Sequence, residues 1–387
     1  MVTSKHLQKA SPDSPFSAFD QRCMERALVL ARRGAGNTSP NPLVGAIIAR
    51  DGRVLGEGWH RRYGGKHAEA EALDAVCATG QSLAGADLYC TLEPCCFTGP
   101  LKRQPPCTQG IITSGIRRVV IANQDPHPAV NGKGIRVLRE AGIIVQTGLL
   151  SAAGEKLNQD FFTFHRRNRP FVHLKIAQTL DGRIAAPGGD ARWITDTAAR
   201  RLVHRLRSHY DAVLVGRGTV LADDPELTVR LVKGRNPLRV VLDSRLSLPD
   251  TAKLLSLPDR EKTLIICSGE HPRIQNLRDC GVGVLPLENG VPGAGLPLGA
   301  VLTALGERGV RSILVEGGGS IFSAFLRAGL WDRISVFIAP MILGDGINGV
   351  SGLAPASIGD ALELEDVSTR RIGNQLLFEG SHVYRNC

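Results

Sequence analysis

Aromatic residues make up only 5% of the 387-residue chain. No lysine/arginine block carries interleaved aromatics, which argues against a base-stacking surface for nucleic acid. No apolar run approaches the roughly 18 uninterrupted residues of a membrane helix. Residues 1–19 lack the apolar centre of a secretion signal and read as a disordered leader. The nine cysteines are an odd number thinly spread. They argue against a disulfide framework and for a reducing compartment, here the cytoplasm, where clustered cysteines mark metal or catalysis.

What is present is the composition of a globular protein, 43% hydrophobic and 22% charged, at a length that predicts two domains. The net charge of +10 suits a phosphorylated small molecule, a nucleic acid, or nothing more than a basic surface.

The first stretch predicts a helix over 20–33 capped by Asp20 and a strand at 43–48. The turn Asp51-Gly52 then leads into Val54-Leu55, a hairpin signal. Helices are predicted at 68–76, after Cys107 and at 135–141, with strands at 88–92, 119–122 and 143–145. A hairpin entering α/β alternation points to a three-layer fold on a mixed sheet. Residues 20–150 make this domain. A helical connector follows at 151–169, closed by Arg169-Pro170, and a second α/β domain spans 170–387. There the spacing predicts strands at 171–176, 212–215, 239–242, 264–267, 313–315 and 334–338, and helices at 197–207 and 321–328. An irregular segment covers 216–230, and an internal Gly/Pro-rich loop covers 285–298.

The chemistry concentrates in the first domain. His67-Ala68-Glu69 opens a helix, Pro94-Cys95 follows a strand and is expected to open another, and Cys107 lies beyond Pro105-Pro106. One imidazole and two thiolates supply three zinc ligands and leave the fourth tetrahedral position for water, the pattern of a catalytic site. Helix N-termini favour thiolate over thiol. Glu69 is two residues from the ligand His67, within reach of the water to move its proton. H-x-E followed by P-C and a later Cys is the signature of zinc base deaminases, which commonly separate the cysteines by two residues. Here eleven lie between them. Cys96 is an alternative to Cys95, which is preferred because it directly follows the proline.

S-P-N-P-L-V-G (39–45), G-E-G-W-H (56–60), H-A-E (67–69), T-L-E-P-C (91–95), P-P-C (105–107) and D-P-H-P (125–128) resemble the deaminase half of the bifunctional riboflavin biosynthesis family. L-K-x-A-x-T-L-D-G (174–182), R-W-I-T (192–195), G-R-G-T-V-L-A-D-D-P-x-L-T-V-R (216–230) and V-E-G-G-G (315–319) resemble its reductase half. The likeness spans about 20–384 in the family's order, and a long loop between the zinc cysteines is normal there. It implies a cytidine-deaminase-like domain followed by a dihydrofolate-reductase-like one. Zinc would deaminate 2,5-diamino-6-(5-phosphoribosylamino)pyrimidin-4(3H)-one, and NADPH would then reduce the ribosyl chain to ribityl. It also implies a homo-oligomer with neither nucleic acid nor membrane as partner.

By that resemblance Asn41 and His60 line the deaminase pocket. Ala177, Trp193, Thr219, Asp223, Ser244 and the run Gly318, Gly319, Ser320, Ile321, Phe322, Ser323 and Ala324 contact NADP. Arg207, Leu227, Arg230 and Glu316 contact the reductase substrate, and Lys175 and Asp223 are the polar candidates near hydride transfer.

Reduction of the ribosyl chain, which the resemblance implies, needs a hydride that no side chain donates, so a nicotinamide cofactor is implied. The residues themselves add two readings. Gly317-Gly318-Gly319-Ser320, between a strand and a helix, is a phosphate cradle. Arg207 and Arg230 are candidates for bidentate contact with a ribose 5′-phosphate. Three positions depart from the family. Cys96-Phe97 replaces a common Ser-His, the loop between the cysteines is longer, and Ala191 replaces a substrate-contacting serine. Lys102 or Arg103, within that loop, is expected to restore the lost polar contact.

Overall fold

The computed structural model describes residues 15–99, 104–288 and 295–384. Lys102, Arg103 and most of the expected leader lie outside them. The chain divides into two units between Arg166 and Arg167.

The first unit runs α1 (Ala18–Ala31), β1 (Gly45–Arg50), β2 (Arg53–Trp59), α2 (Ala68–Cys77), β3 (Asp87–Leu92), α3 (Cys107–Thr113), β4 (Arg118–Asn123), α4 (Lys133–Glu140), β5 (Ile144–Thr147), α5 (Ser151–Leu157) and α6 (Gln159–Arg167). Its strands form one mixed sheet in the order β2-β1-β3-β4-β5, antiparallel around β1 and parallel from β3 to β5. Strand alternation sends Ile48, Leu88, Cys90, Val119 and Ile121 to the face covered by α2, α3 and α4. Ile47, Tyr89, Val120 and Ala122 go to the face covered by α1 and α5. Gly45 allows the close approach of α1, because a Cβ there would lie 2.0 Å from the Ala27 carbonyl oxygen. The hairpin turn Asp51-Gly52 has φ of +52° and +74°, as its sequence predicts.

Two expectations in this unit change. Ser17, not Asp20, caps α1: its hydroxyl accepts the Asp20 N–H, while the Asp20 carboxylate accepts the Ser17 N–H at 2.8 Å. This is a reciprocal capping box, in which Asp20 is the third helical residue, so the helix begins inside the segment read as leader. The connector is two helices that belong to this unit's core. Leu157 and Ala153 pack beside α1, while Phe161 and Phe162 pack with Leu92. Asn158, between them, holds both the N–H and the C=O of Leu43, at 2.7 and 2.9 Å.

The second unit runs β6 (Phe171–Thr179), β7 (Arg183–Ala185), α7 (Thr197–His209), β8 (Ala212–Gly216), α8 (Arg217–Asp223), β9 (Leu238–Leu242), α9 (Lys253–Ser256), β10 (Thr263–Ser268), α10 (Arg273–Asp279), β11 (Gly283–Leu287), α11 (Leu298–Glu307), β12 (Ser312–Val315), α12 (Gly319–Ala328), β13 (Arg333–Ala339), β14 (Ile347–Asn348), β15 (Leu364–Ile372) and β16 (Gln375–His382). The main sheet has the order β11-β10-β9-β8-β12-β6-β13-β16-β15. It is parallel from β11 to β13 and antiparallel beyond. Val172, Leu214, Val240 and Ile313 face α11 and α12. Val213, Val241 and Ile265 face α9 and α10. Parallel strands buried on both faces read as unbroken apolar runs, which is how they were legible.

Here too the structure differs from expectation. The first half of 216–230 is helical, α8, and only residues after Asp224 (φ +42°) are irregular. Of the stretch read as one loop, 285–287 belongs to β11 and Leu298 opens α11, whose buried Val301, Leu302 and Leu305 seal the sheet. Proline and glycine density hid two short elements around a true connection.

Candidate active sites

In the first unit His67 caps the N-terminus of α2, and Cys107 is the first residue of α3. Cys95 does not open a helix. The next helix waits until Pro105-Pro106 has set its start, and Cys95 instead lies against that start. Its sulfur accepts the Cys107 N–H at 3.4 Å, and its carbonyl accepts the Thr108 N–H at 3.2 Å. The three residues converge from separate segments. His67 Nδ1 lies 3.5 Å from Cys95 Sγ and 3.3 Å from Cys107 Sγ. A tetrahedral zinc with bonds near 2.3 Å to sulfur and 2.05 Å to nitrogen has N···S edges of about 3.6 Å, so the donor set fits that ion. Cys96 is not part of the cluster.

Glu69 is 3% exposed on the wall beside these ligands, and burial raises its carboxyl above the usual range. The site opens into a cavity of about 400 Å³ lined by Pro40, Asn41, His60, His67, Glu69, Cys95, Phe97, Gln104, Asp125, His127 and Phe161, among others. His60 Nδ1 pairs with the Lys66 carbonyl at 2.9 Å and must donate to it, which makes Nε2 an acceptor. The Asn41 amide nitrogen, 3.2 Å from Nε2, therefore donates to it, and the amide oxygen of Asn41 is left as an acceptor. Burial lowers the His60 pKa and keeps the ring neutral.

Several features of this cavity escaped sequence reasoning. Glu93, within T-L-E-P-C, is 3% exposed, and its carboxylate accepts the N–H groups of Asp125 (3.1 Å), Gly132 (2.9 Å) and Ile135 (3.0 Å). It ties the cysteine segment to the chain after β4. Asp125, pushed up to about 7 mainly by burial, and His127 face the cavity. Their D-P-H-P motif was visible, but nothing in it said which way it pointed. Phe97 stacks on His127 with ring centroids 6.1 Å apart and planes within 3°. Phe161 comes from the expected connector.

In the second unit a cavity of about 450 Å³ gathers Lys175, Ala177, Ala191, Trp193, Arg207, Thr219, Asp223, Leu227, Arg230, Glu316, Gly318 and Phe322. Glu316, at the end of β12, is gripped by Arg207 through two bonds of 2.6 and 3.0 Å, with Lys175 Nζ at 3.8 Å. Burial acts to raise the Glu316 pKa, but Arg207 and Lys175 outweigh it and hold the carboxylate ionised. Burial, with Arg207 nearby, lowers the Lys175 pKa. The guanidinium fork expected to be available for a phosphate is thus occupied by Glu316. Arg230 is held at its backbone, where its N–H donates to buried His204 Nδ1 at 3.0 Å.

The glycine turn is tight. A Cβ on Gly317 would lie 2.8 Å from the Gly216 nitrogen, and the Gly318 N–H donates to Thr219 Oγ1 at 2.9 Å. The helix begins at Gly319, two residues earlier than its apolar pattern predicts. Of the run 318–324, Ser323 faces inward: its hydroxyl donates to the Gly319 carbonyl and accepts the Ser351 N–H. Ser244 lies outside the cavity, beyond the end of β9. Ser320, Ile321 and Ala324 also lie off its lining.

Residues 17–123 match the cytidine and deoxycytidylate deaminase zinc-binding region, and residues 170–378 match the RibD C-terminal domain. The riboflavin biosynthesis protein RibD of Aquifex aeolicus is 42% identical, over 93% of this chain and 97% of its own. A solved Thermotoga maritima structure described as a diaminohydroxyphosphoribosylaminopyrimidine deaminase/5-amino-6-(5-phosphoribosylamino)uracil reductase is 38% identical. It superposes with a TM-score of 0.83 over 94% of this chain and 99% of its own. Acinetobacter baumannii RibD gives 0.84 at 34% identity, over 95% and 99%. With a zinc deaminase domain and an NADPH-dependent reductase domain in one polypeptide, the chain belongs to the RibD family of bifunctional riboflavin biosynthesis enzymes.

Proposed function

We propose that the first unit deaminates the diaminopyrimidinone phosphate and that the second reduces the product's ribosyl chain with NADPH. The observation that carries the first step is the convergence of His67, Cys95 and Cys107 beside buried Glu69. Zinc, when bound there, supplies the Lewis acid that activates water near neutral pH. Glu69 takes the proton from that water and passes it to the departing amino group, so that water is consumed and ammonia leaves. Its burial keeps bulk water from competing for the proton. Asn41, oriented by His60, offers its amide oxygen to a ring N–H of the pyrimidine. Phe97 gives the ring an apolar wall where a polar contact is common.

In the second unit Gly318 and the start of α12 approach the cofactor diphosphate. Ala177, Trp193, Thr219 and Asp223 lie along the same cavity, where the cofactor supplies a hydride to the ring-opened sugar. Lys175 Nζ, its proton loosened by burial, supplies the accompanying proton, and Glu316 with Arg207 sets its position. Arg230 meets the substrate phosphate, and Leu227, buried with φ +55°, shapes the loop that presents it.

A homo-oligomer is supported by apolar side chains left in the open in the second unit, Ile342 (74% exposed), Ile358 (94%) and Val367 (52%). Eight cysteines among the described residues form no disulfide, which supports a reducing, cytoplasmic setting. Among those residues no helix is long and apolar enough to cross a membrane.

Incubation of the protein with the diaminopyrimidinone phosphate, with and without NADPH, tests the scheme. Ammonia is expected without NADPH, and NADPH oxidation only once ammonia has appeared. Oxidation of NADPH with no ammonia would overturn the order.

A further inference from the structure

Helix α7 carries Arg200, His204 and Arg207 at spacings of four and three residues, so all three share one face. That face lines the reductase cavity. It also holds the loop 226–230 by its backbone. Arg207 donates to the Thr228 carbonyl at 3.0 Å, and the Arg230 N–H donates to His204 Nδ1 at 3.0 Å.

The second of these bonds decides the state of the imidazole. A ring nitrogen that accepts carries no proton, so the proton of His204 sits on Nε2. Burial, with Arg207 and Arg230 nearby, lowers the His204 pKa to about 4 and keeps the ring neutral. His204 is 5% exposed, yet it belongs to the cavity lining. Its Nε2–H has no hydrogen-bond partner among the described residues. A buried donor left unpaired is costly, and an acceptor on a ligand in the cavity would satisfy it.

The charges around the ring say which acceptor. Arg207, Arg230 and Arg200 act on it, and Glu316 opposes them. Glu316 is already taken by Arg207 through two bonds, with Lys175 beside it. The Arg230 guanidinium has only loose contacts, 3.3 Å to Thr228 Oγ1 and 3.5 Å to Glu226, and can turn toward a ligand. A neutral N–H donor in a positive field suits an oxyanion and offers nothing to a cation or to another N–H.

We propose that His204 is a further substrate-binding residue of the reductase, its Nε2–H donating to a phosphate oxygen of the ribosyl 5′-phosphate beside Arg230. One ring then serves twice: Nδ1 fixes the loop that carries Arg230, and Nε2 touches the anion that Arg230 meets. The assignment rests on the reading that this unit reduces a phosphorylated sugar chain.

The test is steady-state NADPH oxidation by the intact protein, with the deaminated substrate and with its 5′-dephosphorylated form. Asparagine places its amide near the position of Nδ1, and glutamine near that of Nε2. His204→Asn therefore keeps the hold on Arg230 and removes the donor, while His204→Gln does the reverse. His204→Asn is expected to raise KM for the phosphorylated substrate about tenfold, the loss of one charge-assisted contact. Its kcat, and its KM for the dephosphorylated form, should stay within about twofold, and His204→Gln should stay within about threefold on both substrates. An unchanged NADPH affinity by calorimetry shows that the cavity of each variant is intact. No change in His204→Asn, a KM rise shared by both substrates, or a fall in kcat in its place would overturn the proposal. A loss in His204→Gln alone would also overturn it, leaving His204 as a prop for the loop. Wild-type protein that oxidises NADPH with neither substrate would sink the reductase reading, and the assignment with it.

Discussion

Arg207 and Glu316 meet fork to fork at 2.6 and 3.0 Å inside the wall of the reductase cavity, joined at different depths of the sequence by a helix and a strand end. Removing either partner leaves the other buried and unpaired, at a cost of about 3–5 kcal/mol. Arg207→Ala should lower the second unit's stability by that amount in urea melts. Glu316→Gln, which keeps the shape, should cut NADPH oxidation more than a hundredfold while ammonia release without NADPH is unchanged. Equal effects on both reactions would count against the assignment.

Glu69→Gln should retain zinc, measured by metal analysis, and lose at least a hundredfold in the rate of ammonia release. Cys107→Ser should lose zinc and deamination together, while NADPH binding persists. Zinc loss in Glu69→Gln would instead mark Glu69 as a ligand.

Glu93→Ala removes an acceptor from three backbone N–H groups. Each unmade bond to a charged group costs about 1.5–3 kcal/mol, so the first unit should lose several kcal/mol. Zinc affinity should fall as the Cys95 segment loosens. A variant with unaltered melting and zinc affinity would show the tie to be idle.

His173, 1% exposed between Tyr210 and Ser335, is pushed down to about 3, mainly by burial, from a usual 6.5. Between those values the unfolded chain takes up a proton that the folded one refuses. The second unit should therefore lose stability as pH falls below about 6.5, by about 1.4 kcal/mol per pH unit from this group. His173→Gln should flatten that slope. Denaturant midpoints at pH 7, 6 and 5 measure it.

The zinc site was legible because its residues are rare types in a fixed pattern and because β3 and α2 announce themselves by period. Phe97 and Ala191 were legible as departures. Glu93 was not, since a carboxylate whose partners are backbone N–H groups leaves no side-chain signature. Arg207 was visible as a cation, yet its partner lies more than a hundred residues away, and spacing cannot pair groups at that distance. The helix α11 was lost behind proline and glycine that belong to the connection before it.

The packing of α5 and α6 also fixes where the enzyme can be divided. A deaminase piece ended at residue 150 would lack Asn158, which clamps Leu43, and Phe161, which closes the cavity. Expressed alone, such a piece should bind zinc poorly or aggregate, whereas one carried through Arg166 keeps its own wall. The two activities are thus expected to separate at a cut after Arg166, sixteen residues beyond the domain end that the sequence alone predicts.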